Sequence, residues 1–200
     1  MEKPHSTKQK SSFSKELTAI KEIIEDLDYE ITSGMEQIRS KIGNYFWKFW
    51  TISGYPYAWI AIGLICGIAF DLYHVGYVIM FASLSTLAIV VPLKYIVSRR
   101  RPYDKHKDLR PLRREREHDW SFPSGHTYYV TVNGVSLALI YGGAISLFLM
   151  IGLGILVGCS RLYLGVHYFS DVVVAFFLAL LVAYVIYLYF PLIMVLHYLT

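Results

Sequence analysis

Apolar residues recur at helical intervals from Leu17 onward: Leu17, Ile20, Ile24, Leu27 and Ile31, then Met35, Ile38, Ile42, Tyr45 and Phe49, with Lys, Glu and Asp on the other faces. That period predicts an amphipathic helix, and Ser33-Gly34 is the natural place for it to break. Its second part ends in Tyr45-Phe46-Trp47-Lys48-Phe49-Trp50, the aromatic and basic content of a segment lying in a membrane surface. The first part, 14–33, suits the same surface or a short coiled coil with another copy, so a homodimer through this helix is a partner the pattern allows. Residues 1–12 are polar and rich in Ser and Lys, and are expected to be disordered.

Beyond residue 50 the pattern changes to five apolar runs: Tyr57–Leu72, Gly76–Val97, Ser124–Tyr141, Ala144–Leu164 and Phe169–Phe190. Each is near the roughly 17–25 residues a bilayer-spanning helix needs. The fold expected is therefore all-α: a polytopic membrane bundle of about five transmembrane helices with an N-terminal amphipathic helix. Residues 1–50 form the polar tail and interfacial helix, and 51–200 the transmembrane domain. Gly154 and Gly158 fit the small-xxx-small packing pattern. Asn133 reads as an interhelical hydrogen bond, and Asp71 with His74 as polar residues of a turn.

Hydrophobic residues make up 55% of the 200, which is membrane-protein composition. Of the 19 Lys and Arg, eight lie in 1–48 and nine in 99–116, leaving Lys94 and Arg161. The basic residues are interleaved with acids and flank the spans, which is no nucleic-acid footprint. Five spans put the N-terminal region, the 98–123 loop and the 163–168 turn on one side, and the turns near 72–75 and 142–143 on the other. All the Lys and Arg then fall on the first side, making it cytoplasmic by the positive-inside rule, in the cell membrane. Cys66 and Cys159 both fall in apolar runs, so no disulfide is expected. No compact apolar core of a signal peptide is visible in the first fifty residues.

Three polar stretches border these spans. Ser160–Asp171 (SRLYLGVHYFSD) sets Arg161, His167 and Asp171 between two apolar runs, where charge is costly and by default functional. Gly165 is placed to end one helix, and His167 and Asp171 lie one turn apart on one face of the next. Lys94 precedes Arg101-Pro102 in KYIVSRRRP, and Pro123-Ser124-Gly125-His126 opens the third run. Lys94, Arg101 and Arg161 offer three cations to an anion, with arginine forks suited to phosphate. Ser124 is placed as a helix N-cap and Gly125 lets backbone approach closely. Spacing alone permits either histidine to be the nucleophile. No metal-ligand spacing is present, and neither metal nor other cofactor is expected. In the loop 103–122, Arg110, Arg113, Arg114 and Arg116 read as positive-inside charge or as a rim for anionic head groups, with Trp120 and Phe122 tucked at the interface.

Together the three stretches resemble the signature of the type 2 phosphatidic acid phosphatase superfamily: Lys, six residues, Arg-Pro; Pro-Ser-Gly-His; Ser-Arg, five residues, His, three residues, Asp. All eleven specified positions match. The resemblance spans about Val91 to Val174 and implies a hydrolase in which His167 is the nucleophile and forms a phosphohistidine. It also implies that Asp171 orients His167, that His126 is the acid and base, and that Lys94, Arg101, Ser124, Gly125 and Arg161 bind phosphate. Members usually have six spans, the first of which the amphipathic segment replaces here, and many face their site away from the cytoplasm. The implied substrate is a membrane lipid phosphate or diphosphate: phosphatidic acid, phosphatidylglycerophosphate or a polyprenyl diphosphate. Two other readings are a vanadate-dependent haloperoxidase, whose motif is similar but whose known members are soluble, and a non-catalytic head-group-binding membrane protein.

Overall fold

The computed structural model describes residues 5–113 and 119–199, with side chains for 14–113 and 119–191. Helix α1 (His5–Gln37) passes unbroken through Ser33-Gly34. The expected break falls instead at 38–40, where Ser40 is extended and its Oγ accepts from the Gly43 N–H to cap α2 (Lys41–Trp50). Helical backbone begins at His5, so 5–12 are not the disordered tail expected from their composition; 1–4 lie outside the described residues.

Helix α1 docks by its polar edge. Asp28 and Thr32 are buried, whereas Leu17, Ile20, Ile24 and Leu27 are more than two-fifths exposed. In water that arrangement would be inverted; beside a bilayer it presents the apolar stripe to lipid. Helix α2 likewise exposes Ile42, Tyr45 and Phe49.

A short 3₁₀ turn, Thr51–Gly54, leads into α3 (Pro56–Phe70), and the path from Lys41 to Phe70 bends by 56° there. After Asp71, left-handed at φ 53°, the chain returns as α4 (Tyr73–Ser85). A wide π turn, Thr86–Val90, precedes α5 (Val91–Val97), absorbing the donor missing at Pro92. One further turn, α6 (Pro102–Lys105), follows. The remaining helices are α7 (Gly125–Tyr141), α8 (Ala144–Tyr163) and α9 (Phe169–Leu199). No strand occurs among the described residues.

Among the described residues, three segments are long and apolar enough to cross a bilayer, Tyr73–Lys105, Ala144–Tyr163 and Phe169–Pro191; the bent pair Lys41–Gly54 and Pro56–Phe70 counts as a fourth if taken as one span. Helix α7, the other expected span, has 17 residues and is the core of the bundle, with Tyr128, Val130, Val132 and Asn133 fully buried. It packs on α8, α9 and α4. Gly154 of α8 sits against Thr131 of α7 and Phe176 of α9, and Gly158 against Thr127 and Val172, so both glycines act as the small-residue seam expected of them. Asn133 does not bridge helices: its Nδ2 donates to Tyr129 O in its own helix at 3.0 Å. The hydroxyl pairs Tyr129–Ser83 (2.5 Å) and Tyr128–Ser85 (3.0 Å) tie α7 to α4 instead.

The last turn of α8 sets the site. Val166 N–H donates to Arg161 O and Gly165 N–H to Leu162 O, the paired bonds of a Schellman end. Gly165 adopts φ +73°, a conformation that a side chain disfavours by about 1–2 kcal/mol. A Cβ there would also come 2.6 Å from the Arg39 guanidinium. Gly165→Ala is expected to lower the melting temperature of the detergent-purified protein by several degrees, at roughly 2–4 °C per kcal/mol; an unchanged melting point would contradict it.

Candidate active site

Arg101 is 2% exposed, and its guanidinium is committed on every side. Nε donates to Asp119 O at 2.8 Å, one terminal nitrogen to Asp119 Oδ2 at 2.7 Å and the other to Val166 O at 2.7 Å. That last nitrogen is also 3.4 Å from His167 Nε2. Lys94, from α5, donates to Asp119 Oδ1 at 2.8 Å and to Trp120 O. Burial alone pushes the Asp119 carboxyl up, but Lys94 and Arg101 outweigh it and hold the group below the usual carboxylate range.

His167 does not begin α9 but sits two residues before it, in the turn that Gly165 permits. Its ring is buried. Burial pushes its pKa well below the usual imidazole value, and the Arg101, Arg161 and Lys94 cations push the same way. The ring is therefore neutral near pH 7. Nδ1 faces Asp171 Oδ2 and Ser121 Oγ, each at 3.5 Å, while Nε2 points toward Arg101. Asp171 is fully buried and is held from several directions. Tyr168 N–H donates to Oδ2 at 3.0 Å, so Asp171 at the third position of α9 reaches back to the residue before the helix, one half of a capping box. Ser121 Oγ donates a short hydrogen bond to the same oxygen, and Arg99 donates to Oδ1 at 2.7 Å.

His126 enters from the first turn of α7. Its Nε2 is buried without a hydrogen-bond partner among the described residues. Arg161, Arg113 and Arg101 are the cations within electrostatic reach of its ring, and the neutral His167 ring lies in the same neighbourhood. A buried polar atom left unpaired costs about 1–3 kcal/mol, a cost that a ligand in the site would offset. Arg161 is fully buried and donates to Thr51 Oγ1 at 3.0 Å. Ser124 takes the N-cap position of α7, but the expected cap bond is absent: its Oγ pairs with Thr127 Oγ1 at 3.0 Å. Gly125 borders open space, since a Cβ there would meet nothing within 4 Å. All eight residues singled out from the sequence thus occur at the one end of the bundle where α5, α7, α8 and α9 meet their connecting segments.

Several residues of this cluster escaped the sequence reading. Asp119 and Ser121 lie in the connector before Pro123. Arg99 lies two residues before Arg101 and was absorbed into the basic loop. Asp28 of α1 reaches the cluster by pairing with Arg99 at 2.6 Å. The Thr51–Tyr55 connector forms a wall: Gly54 lies so close that a Cβ would fall 2.7 Å from that of His126, and the Tyr55 ring meets His126 edge-on at 4.5 Å. Within the expected basic rim, Arg113 lies over Tyr55 at 5.4 Å and Arg110 uses its backbone to bond Glu36 of α1; Arg114 and Arg116 lie outside the described residues. None of the described residues forms a cluster of three potential metal ligands.

Comparison with solved structures finds the same arrangement of helices elsewhere. A transmembrane PAP2-type phosphatidylglycerolphosphate phosphatase from Bacillus subtilis superposes with a TM-score of 0.69 at 24% identity, covering 82% of this chain and 84% of that one. LpxE from Aquifex aeolicus does so with a TM-score of 0.63 at 23% identity, covering 81% and 94%. The model of the PAP2 superfamily matches residues 72–194, well over half the chain and inclusive of all three polar stretches. The chain therefore belongs to the PAP2 superfamily and is an integral-membrane phosphatase of that kind.

Proposed function

We propose that this phosphatase cleaves phosphate or diphosphate esters of membrane lipids through a phosphohistidine on His167. The observation that carries this reading is the division of the His167 ring: Nδ1 faces the Asp171 carboxylate, leaving Nε2 beside Arg101 to attack. In the first step Nε2 bonds to phosphorus as the bond to the leaving oxygen breaks, and His126 gives that oxygen a proton. In the second, His126 takes a proton from water, whose oxygen displaces His167 and leaves as inorganic phosphate. The carboxylate sits on His167 and not on His126, which favours this division of roles over its exchange. Lys94, Arg101 and Arg161, with the first backbone amides of α7 after Ser124 and Gly125, neutralise the transferring group.

Phosphatidic acid, phosphatidylglycerophosphate and polyprenyl diphosphates all fit a head group at this site with a tail in the bilayer. A groove of about 720 Å³ beside Arg99, walled by Leu17, Ile20, Ile24 and Val174 with Lys21 and Arg100 at its edge, supports an amphiphilic substrate. A haloperoxidase reading fits poorly with apolar spanning helices, and mere anion binding leaves the oriented His167–Asp171 pair without a use. The chain divides at about residue 50, 1–50 forming an interfacial collar and 51–200 the catalytic bundle. The collar's exposed row is also where a second copy would pair. The concentration of Lys and Arg around the site favours a cytoplasmic face of the cell membrane.

Radiolabelled lipid phosphate, quenched in alkali, is expected to leave acid-labile label on the wild-type chain and none on His167→Ala; label persisting in that variant would remove His167 as nucleophile. Phosphate release from the three lipid classes in detergent ranks the substrates. Because His167 reacts neutral and its pKa is depressed, the reactive form survives to lower pH than an ordinary imidazole would allow. The acid limb of kcat/KM should lie below about pH 6.5, and a limb above that value would contradict the assignment. Phosphate must also compete with the Asp119 carboxylate for Lys94 and Arg101. Asp119→Asn should tighten vanadate inhibition about tenfold, given the usual strength of a charge-assisted hydrogen bond; weaker inhibition would show that Asp119 helps to hold the anion.

A further inference from the structure

Asp28 is the least expected residue at this site. It belongs to α1, yet it is 1% exposed and its carboxylate makes three bonds to the catalytic end of the bundle. Oδ1 accepts from the backbone N–H of Ser170 at 2.8 Å, and Oδ2 from Ser170 Oγ at 2.6 Å and Arg99 at 2.6 Å. Ser170 N–H is one of the orphan donors at the start of α9, so Asp28 caps that helix across 142 residues of chain. Arg99 then spans two carboxylates. One nitrogen holds Asp28; the other donates to Asp171 Oδ1 and to Ser170 Oγ, both at 2.7 Å. The guanidinium lies over the Tyr168 ring at 4.0 Å, which fixes its plane.

The consequence falls on Asp171. With Oδ1 engaged by Arg99, Oδ2 is the oxygen turned toward His167 Nδ1, Ser121 and Tyr168 N–H. A single carboxylate paired with Arg99 would draw the whole cation to itself; Asp28 shares it and keeps the guanidinium between the two. The three charges sum to minus one, and each has a partner, as burial demands.

We propose that Asp28 and Arg99 are positioning residues for the His167–Asp171 pair, so that α1 is a working part of the active site and not only a membrane anchor. The proposal rests on the phosphatase reading above. A purely structural Asp28 would merely hold α1 in place, a job shared with Glu25, one turn earlier, whose pair with Lys105 is about two-fifths exposed on both sides.

The test compares Asp28→Asn, Arg99→Gln, the double variant, Arg99→Lys and Glu25→Gln with the wild type. The readouts are kcat and KM on short-chain phosphatidic acid, phosphatidylglycerophosphate and a polyprenyl diphosphate in detergent micelles, and the melting temperature. Asp28→Asn and Arg99→Gln should each lower kcat about tenfold or more with KM within about threefold, and the double variant should be no worse than the poorer single. Arg99→Lys keeps the charge but lacks a fork to bridge two carboxylates. It should melt near the wild type and still lose kcat, so the proposal stays testable if the charge-removing variants fail to fold. Glu25→Gln should keep kcat within twofold, whatever its effect on KM, since Glu25 lines the groove but has no bond to the Arg99–Asp171 pair. A folded Asp28→Asn or Arg99→Lys with wild-type kcat, a Glu25→Gln loss as large as that of Asp28→Asn, or losses that multiply in the double variant would each overturn the positioning role. A wild-type chain that releases phosphate from none of the three lipids would overturn the phosphatase reading and this inference with it.

Discussion

Arg101 cannot be withdrawn from water without a complete set of partners, because an isolated ion in a low-dielectric interior is unfavourable by several kcal/mol. Its fork meets that demand with two carbonyls and one carboxylate, drawn from the Asp119 and Val166 segments. The same requirement fixes where the chain must pass. The connector before Pro123 is drawn toward the ends of α5 and α8, and the turn carrying His167 is held beside it. Arg161, buried on the other side, draws in Thr51 and with it the bend into α3. The geometry of this end of the bundle is thus set largely by the need to satisfy two buried guanidinium groups.

Lipid on the outside reverses the usual rule for the N-terminal helix. Leu17, Ile20, Ile24 and Leu27 face outward, and the inward stripe is Asp28 and Thr32, bordered by partly exposed Glu25 and Glu36. Its contacts are polar and directional: Tyr29 to Asp108 at 2.6 Å, Glu25 to Lys105 at 2.8 Å, Glu36 to the Arg110 backbone at 3.0 Å. Hydrogen bonds of this kind define register more sharply than apolar contact does, since a slip of one residue breaks them together. They bind α1 to the loop that carries the basic residues as well as to α9.

The apolar helices, and the meeting of the eight motif residues at one end of the bundle, were legible because both rest on local order: runs of apolar length, and residue types at fixed short spacings. Of the five expected spans, three described segments are long enough to cross and a bent pair counts as a fourth if taken as one span. Gly165 was legible for the same reason, as its left-handed turn is a local need. Asp28 was not. Nothing near it in the chain distinguishes it from Asp26, and the partner that does, Ser170, lies on the last helix. Arg99 was hidden by its neighbours, one of three consecutive arginines whose basic character topology already explained. The break assigned to Ser33-Gly34 failed because helix-disfavouring residues lower stability by about a kilocalorie, which docking of the polar edge readily exceeds. Asn133 failed for another reason: a polar residue in a span finds its own helix's carbonyl as easily as a neighbour's.

Asp119 gives Lys94 and Arg101 a built-in counterion. An uncovered pair of cations would welcome any small anion from the surrounding solution, and a free phosphate would be as welcome as an esterified one. With the carboxylate in place, an arriving group gains little from charge alone. If the substrate is the lipid phosphate proposed above, discrimination then passes to its tail, which a bare ion lacks.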